Sequence, residues 1–392
     1  MNEINLKKFT CTKPFNSLEV HYRGECYICC PEWNNNSIGN IYQNSIDEIW
    51  NSPKAIEIRQ SINDGSFKYC NHKTCPFIQA QDLPLKEKDV SLTPLEKPNY
   101  LMLNYDRSCN LSCPSCRTEK IMSLPGSPQY EMAEKITKTI DTFFIKNLED
   151  SYLKINITGS GDPFASVIYK KFLESIDGKK HPRLLIDLQT NALLLNEDNW
   201  NNLKNIHSNI NDLFISVDAA TEQTYKIVRR LGNFNQLLKN LHFISNLRKQ
   251  RKINLLQARF VVQDLNFSEI PSFIKLFLKL RFDVIEFSKM INWSTYSPQD
   301  FFNQCPWEKS HRNHLQFQKV LTSPILGHRR VFLGNLSKDR QEALNEAKNN
   351  FTFIERGLFE IENLNFKLHF LILNSFFKFK KIVKKLKIFL LN

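Results

Sequence analysis

Glycine is scarce, at 11 of 392 residues, and with 16 prolines it forms no repeating pattern, which excludes collagen-like and glycine-rich low-complexity chains. No uninterrupted apolar stretch reaches the ~18 residues that a membrane-spanning helix needs. The opening MNEINLKKFT has no apolar core of the kind a secretory signal carries. Self-similarity at a fixed period is also missing, which excludes solenoids and propellers. These absences lead to the expectation of a cytoplasmic protein in a reducing compartment. Its ten cysteines should then be metal ligands or core residues rather than disulfides. What is present suffices for a core: 42% of residues are hydrophobic and 30 are Phe. The length allows two or three domains, or one large barrel with a smaller module, at roughly 150 residues per domain.

Charge is unevenly spread. The net charge is +13, and seven of those charges are lysines between Asn363 and Asn392, a stretch without Asp or Glu. The basic excess is therefore partly a property of the tail, and nucleic-acid binding is not expected. Cysteines cluster too. Cys11, Cys26, Cys29, Cys30, Cys70 and Cys75 fall in the first fifth, Cys109, Cys113 and Cys116 in one tight group, and Cys305 far downstream.

Residues 1–79 read as short and irregular, with one helix over 45–63 interrupted near Pro53. Residues 80–98 are polar with three prolines and read as a linker. From Asn99 the texture changes. Apolar runs at 100–105, 153–158, 183–190, 212–218, 254–263 and 282–288 read as strands, with helices at 129–148, 164–176, 197–206, 221–230, 234–249 and 268–280. Such βα alternation predicts a parallel sheet, open or closed as a partial barrel. The expected architecture is α/β. A partial (β/α)6 TIM-like barrel spans 99–295, after a small Cys-rich domain at 1–79 and the linker at 80–98. An extension over 296–350, with a helix near 338–347, and a basic amphipathic tail over 351–392 follow.

Directly after the first barrel strand comes Cys109-Asn-Leu-Ser-Cys113-Pro-Ser-Cys116, a C-x3-C-x2-C spacing. Three thiolates on one loop can hold three corners of a [4Fe–4S] cluster and leave the fourth iron open. A three-thiolate zinc site with a distant fourth ligand, or plain core cysteines, are the other readings. The loop and its position resemble the radical S-adenosylmethionine (SAM) family over about Asn99 to Trp293. The resemblance implies SAM chelated by the open iron and its reductive cleavage to a 5′-deoxyadenosyl radical, which takes hydrogen from a substrate. It also implies a flavodoxin- or ferredoxin-type electron donor. One departure is Ser115, where many members have an aromatic residue.

Later strand ends extend the resemblance. Ser160-Gly161-Asp162-Pro163 is similar to the family's Gly-Gly-Glu-Pro turn, which bonds the SAM amino group. Asn191 stands in a Thr-Asn-Gly-like position, and Ser216-Val217-Asp218 in the family's Ser-x-Asp. Arg230 and Gly232 match an Arg-x-Gly, and the fifth strand ends in Arg259, Gln263 and Asn266. Ser160, Gly161, Asp162, Asn191, Ser216, Asp218 and Gln263 are thereby the candidate SAM contacts, on the face where βα barrels carry their sites.

The N-terminal segment, with Cys11, an Ile-Gly-Asn-Ile, an Ile-Trp-Asn and the closing pair Cys70-x4-Cys75, resembles a SPASM-type auxiliary iron–sulfur domain. Such modules usually follow the barrel. The resemblance implies Cys11, Cys29, Cys70 and Cys75 as ligands of a second [4Fe–4S] cluster, with Cys30 an equal alternative to Cys29. Cys26 is a spare, and Cys26-x2-Cys29 with Cys70-x4-Cys75 would also suit zinc. Cys305 reads as a core residue or a surface thiol in preference to a further ligand.

The sequence thus points to a radical SAM enzyme acting on a peptide or a small-molecule or sugar substrate. The competing reading is a non-catalytic zinc or cluster scaffold. In the tail, Phe376, Phe379, Val383, Leu386 and Leu390 recur at helical spacing opposite lysines, which suits either an anionic membrane surface or packing on the barrel. Truncation after Glu362 should change vesicle partition in flotation assays and leave SAM cleavage intact; loss of cleavage would refute that independence.

Overall fold

Alternating burial shows how the strands are used. In Leu255–Val262, Leu256, Ala258, Phe260 and Val262 are buried, while Gln257, Arg259 and Val261 on the other face are partly open. The apolar face packs under helices and the polar face lines the concave side of the sheet. The protein is described here from a computed structural model covering residues 5–79, 82–87, 91–149 and 151–350.

Ten strands form one sheet: β1 Ser17–His21, β2 Glu25–Tyr27, β3 Gly39–Asn40, β4 Tyr100–Asn104, β5 Leu153–Ile157, β6 Leu184–Thr190, β7 Ile210–Ser216, β8 Leu255–Val262, β9 Val284–Lys289 and β10 Val331–Phe332. Their order is β10-β9-β8-β7-β6-β5-β4-β1-β2-β3. Every pairing from β10 through β4 to β1 is parallel; only β1–β2 and β2–β3 are antiparallel. The sheet is open, and each edge is a strand of two residues, too short to recruit another chain. The six barrel strands expected from sequence are all present, as β4 to β9.

The crossover helices start at side-chain caps. Ser127, Ser166, Asn196, Thr221 and Asn233 each accept from the backbone amide three residues on. Such caps satisfy helix amides that have no partner within the helix.

Residues 5–79 are more regular than the sequence suggests. β1 lies parallel to β4, with Glu19 opposite Met102 and His21 opposite Asn104, so this segment extends the barrel sheet itself. The expected 45–63 helix is two helices, Ile46–Trp50 and Pro53–Asn63. A Ser45–Glu48 capping box starts the first, and Pro53 sits in the first turn of the second, where its missing N–H costs nothing. Buried Arg59 joins the parts: Nε donates to Pro14 O (2.8 Å), Nη1 to Trp50 O (2.8 Å), and the guanidinium lies 4.1 Å from the Trp50 ring centre. The described part of 82–99 packs back on this unit through Thr10 N to Pro84 O (2.9 Å) and Leu95 N to Phe15 O (3.0 Å).

Beyond β9, helices Pro298–Phe302, His314–Leu321 and Ser337–Asn350 follow, tied back by a Lys289–Asp339 pair at 2.8 Å. No helix among the described residues is long and apolar enough to cross a membrane. The basic amphipathic tail inferred from sequence lies outside the described residues.

Phe260 joins the two layers, with its ring 4.7 Å from Phe273 and 5.4 Å from Phe287. Phe260→Ala should cost about 3–5 kcal/mol of stability, read by chemical denaturation.

Candidate functional site

The cysteine loop leaves β4 at Asn104 and is fixed by a buried carboxylate. Asp106 Oδ1 accepts from Ser108 N (3.0 Å), Ser108 Oγ (2.9 Å) and Ser123 Oγ (2.9 Å), and Oδ2 accepts from Ser166 Oγ. Cys109 N donates to Ile121 O at 2.9 Å, closing the two arms of the loop. Arg230 buttresses the outside, with Nε on Ser112 O (3.0 Å) and Nη2 on Thr118 O (3.0 Å). Cys116 N reaches Cys113 O at 2.9 Å, so the last two thiols share one tight turn.

Cys109 and Cys113 are buried and Cys116 is partly open. Burial pushes the Cys109 thiol up to about 11 and raises Cys113 as well. Each sulfur has a side-chain donor beside it: Asn191 Nδ2 to Cys109 Sγ (3.7 Å), Arg229 Nη1 to Cys113 Sγ (3.6 Å) and Arg117 Nη2 to Cys116 Sγ (3.4 Å). Donors so placed favour thiolate over thiol, the form a metal cluster requires.

Strand ends β5 to β8 surround this loop. Ser160 Oγ donates to Asn104 O (2.6 Å), and Ser160 O accepts from Arg117 Nη2 (2.7 Å). A Cβ at Gly161 would stand 2.5 Å from Ser108 O and 2.8 Å from Asp106 O, so glycine is required where the turn meets the cysteine loop. Asp162 is fully buried; Oδ2 accepts from Thr190 Oγ1 (2.7 Å) and Asn191 N (2.8 Å), and Oδ1 from Phe164 N (3.0 Å). Desolvation raises its pKa, although these donors pull the other way. Asn191 Nδ2 also reaches Asn110 Oδ1 (2.9 Å) in the loop.

Asp218 takes a left-handed backbone, φ 62°, and pairs through Oδ2 with Arg229 Nη2 at 2.7 Å. Its Oδ1 accepts from Val261 N (2.8 Å), linking β7 to β8. Gln263 is buried, and its Nε2 has no acceptor among the described residues. Ser216 ends β7 on the concave face, paired in register with Arg259. Asp162, Asn191 and Asp218 thus converge on the cysteine loop, directly or through Arg229; Ser216 and Gln263 stand on neighbouring strand ends without bonding to it.

Sequence reasoning missed Asp106, Arg117 and Arg229. Arg230 carries the family-like motif, yet it bonds loop carbonyls while its neighbour Arg229 reaches the sulfur. A buried basic residue next to the third cysteine was the one available signal for Arg117.

The second cysteine group surrounds one small cavity. Cys11, Cys29, Cys70 and Cys75 line it together with Trp33 and Phe67, and Cys30 does not. Desolvation raises the thiols of Cys11, Cys29 and Cys75 and pushes Cys70 up to about 12. Cys30 rises to about 11, first through burial and then through Glu19 on β1. Cys26 Sγ donates to Gly24 O (3.4 Å) and Cys305 Sγ to Phe301 O (3.1 Å); both are core thiols.

Among the described residues no three Cys, His, Asp or Glu side chains converge at the spacing of a single ion. Four thiols around one cavity suit a group held by four thiolates. Cys29→Ala should remove about four Fe per chain in anaerobic iron and sulfide analysis, and Cys30→Ala should remove none.

Residues 11–76, Cys11 through Cys75, match the family model of SPASM, an iron–sulfur cluster-binding domain. An uncharacterized protein of Methanocaldococcus jannaschii is 26% identical over 38% of this chain and 46% of its own length. Solved structures to which the chain shows similarity include native anSMEcpe with bound AdoMet (17% identity, 56% of this chain, 58% of that chain, TM-score 0.40). Streptococcus suis SuiB bound to precursor peptide SuiA is another (12%, 61% and 53%, TM-score 0.34). The chain spans about half the length of these relatives. Similarity at this level leaves the chemistry to be argued from the chain's own residues. The chain is thus similar over residues 11–76 to SPASM iron–sulfur cluster-binding domains, and this segment extends the sheet whose strand β4 leads into the three-cysteine loop.

Proposed function

We propose that the chain is a radical SAM enzyme with an auxiliary cluster. Cys109, Cys113 and Cys116 would hold three corners of a [4Fe–4S] cluster, and Cys11, Cys29, Cys70 and Cys75 all four of a second. The carrying observation is a loop that presents three donor-flanked thiols where the parallel strands end. When bound, an open iron supplies a chelation site for SAM and the electron for its cleavage to a 5′-deoxyadenosyl radical.

The chain's own residues bind and orient. Asp162, in the turn read as meeting the SAM amino group, fixes the β6 end through Thr190 and Asn191. Asp218 and Arg229 form a buried ion pair against Cys113, holding the β7 end at the loop. Gln263 offers an unengaged amide from the β8 end. Burial of this set keeps water from a reactive radical.

The substrate would be a peptide or a sugar or glycan precursor, lying against the concave face of the sheet. That face is polar: Lys154 pairs with Asp187 (2.8 Å) and Arg259 with Glu286 (2.8 Å). Glu19 Oε1 and Asn156 Oδ1, both buried, have no donor among the described residues. These groups favour a hydroxyl- or amide-bearing substrate over an apolar one, since unmatched buried acceptors cost more than matched ones. A reduced flavodoxin or ferredoxin would deliver the electron, with the tail as a contact for an anionic membrane surface.

Anaerobically reconstituted protein, reduced and given SAM, should release 5′-deoxyadenosine, and Cys113→Ala should lower release to background. Zinc in place of iron, with no 5′-deoxyadenosine, would establish the scaffold reading instead.

A further inference from the structure

Two guanidiniums reach sulfurs of the cysteine loop, and they differ in what balances them. Arg229 donates to Cys113 Sγ at 3.6 Å, but its charge is met by Asp218 at 2.7 Å. Arg117 donates to Cys116 Sγ (3.4 Å), Arg107 O (2.7 Å) and Ser160 O (2.7 Å). Its three partners are a sulfur and two carbonyls, with no carboxylate among them. It is only 5% exposed, so water screens its charge little.

We propose that Arg117 is a positioning residue that sets the reduction potential of the cluster held by this loop, its unbalanced charge favouring the reduced form. The inference rests on the radical SAM reading above. Each electron taken from the low-potential donor adds one negative charge to the cluster, and no bond forms or breaks. A fixed cation at a ligand sulfur stabilises that added charge, and an N–H···S bond acts in the same direction. Arg229 contributes less, because removing it together with its Asp218 partner changes no net charge. The same guanidinium also ties Cys116 to the Ser160 turn, so cluster potential and the SAM-facing turn depend on one side chain.

The test is an EPR-monitored redox titration of the reconstituted protein, following the cluster whose spectrum responds to added SAM. Arg117→Gln should keep that signal and lower the reduced-to-oxidised ratio at a fixed potential about tenfold, or 59 mV for one electron. Arg117→Lys should stay within about threefold of the unmodified protein, since the charge is kept. The Arg229→Gln, Asp218→Asn double variant should shift by less than Arg117→Gln. An unchanged midpoint in Arg117→Gln, or a lysine variant displaced as far as the glutamine one, would overturn the proposal. Loss of the cluster in both Arg117 variants would assign a purely structural role and also overturn it. Loss only in Arg117→Gln, with the lysine variant at the unmodified midpoint, would support it. Absence of any SAM-responsive signal in the unmodified protein would instead defeat the underlying reading.

Discussion

Asp106 is the side chain on which the arrangement at the strand ends depends. A carboxylate removed from water must be met by donors or neutralised. Here the donors come from three places: Ser108 and Ser123 on the two arms of the cysteine loop, and Ser166 at the cap of the helix after β5. One anion therefore fixes the start and finish of the loop and ties both to the next βα unit. The Asp106 backbone N–H donates to the Tyr169 hydroxyl at 3.1 Å. This closure positions the thiols, and the side-chain donor beside each sulfur then holds it.

The same economy joins the two cysteine groups. β1 pairs with β4 over five residues, so the segment carrying Cys11, Cys29 and Cys30 shares a hydrogen-bonded ladder with the strand that launches Cys109. On the concave face, Glu19 Oε2 lies 3.2 Å from His21 Nε2, which is 3.4 Å from Asn104 Nδ2. Asn104 Oδ1 in turn accepts from Gly159 N at 2.6 Å in the turn after β5. A polar chain thus runs from the auxiliary unit to the Ser160-Gly161-Asp162 turn. Placing the module before the barrel in sequence does not separate it from the site, because the ladder, not chain order, decides where it docks.

Legibility varied with how local the signal is. The strands β4 to β9 were readable because each is an apolar run between polar helical segments, and period and length suffice for that. β1 was not, since five residues with Leu18 and Val20 buried and Ser17, Glu19 and His21 opposite carry too little pattern to separate from a loop. The 45–63 helix was readable, and its break followed from Pro53. Neighbouring pairs were the hardest: Cys29 lines the cavity and Cys30 does not, and Arg229 meets sulfur while Arg230 meets carbonyls. Adjacent residues share composition and spacing but point in different directions, and only the backbone at each position decides which.

What the sequence determined by itself was the alternation of strands and helices, the three-cysteine spacing after the first barrel strand, and the N-terminal cysteine set. Those are properties of neighbours along the chain. Tertiary structure alone decided that Asp106 anchors the loop, that Gly161 yields its space to the Ser108 carbonyl, and that Arg117 and Arg229 reach the sulfurs. The bonds from Asp106 to Ser166, Arg117 to Ser160 and Arg229 to Cys113 join residues far apart in sequence, and such contacts exist only once the parallel strands have brought their ends together.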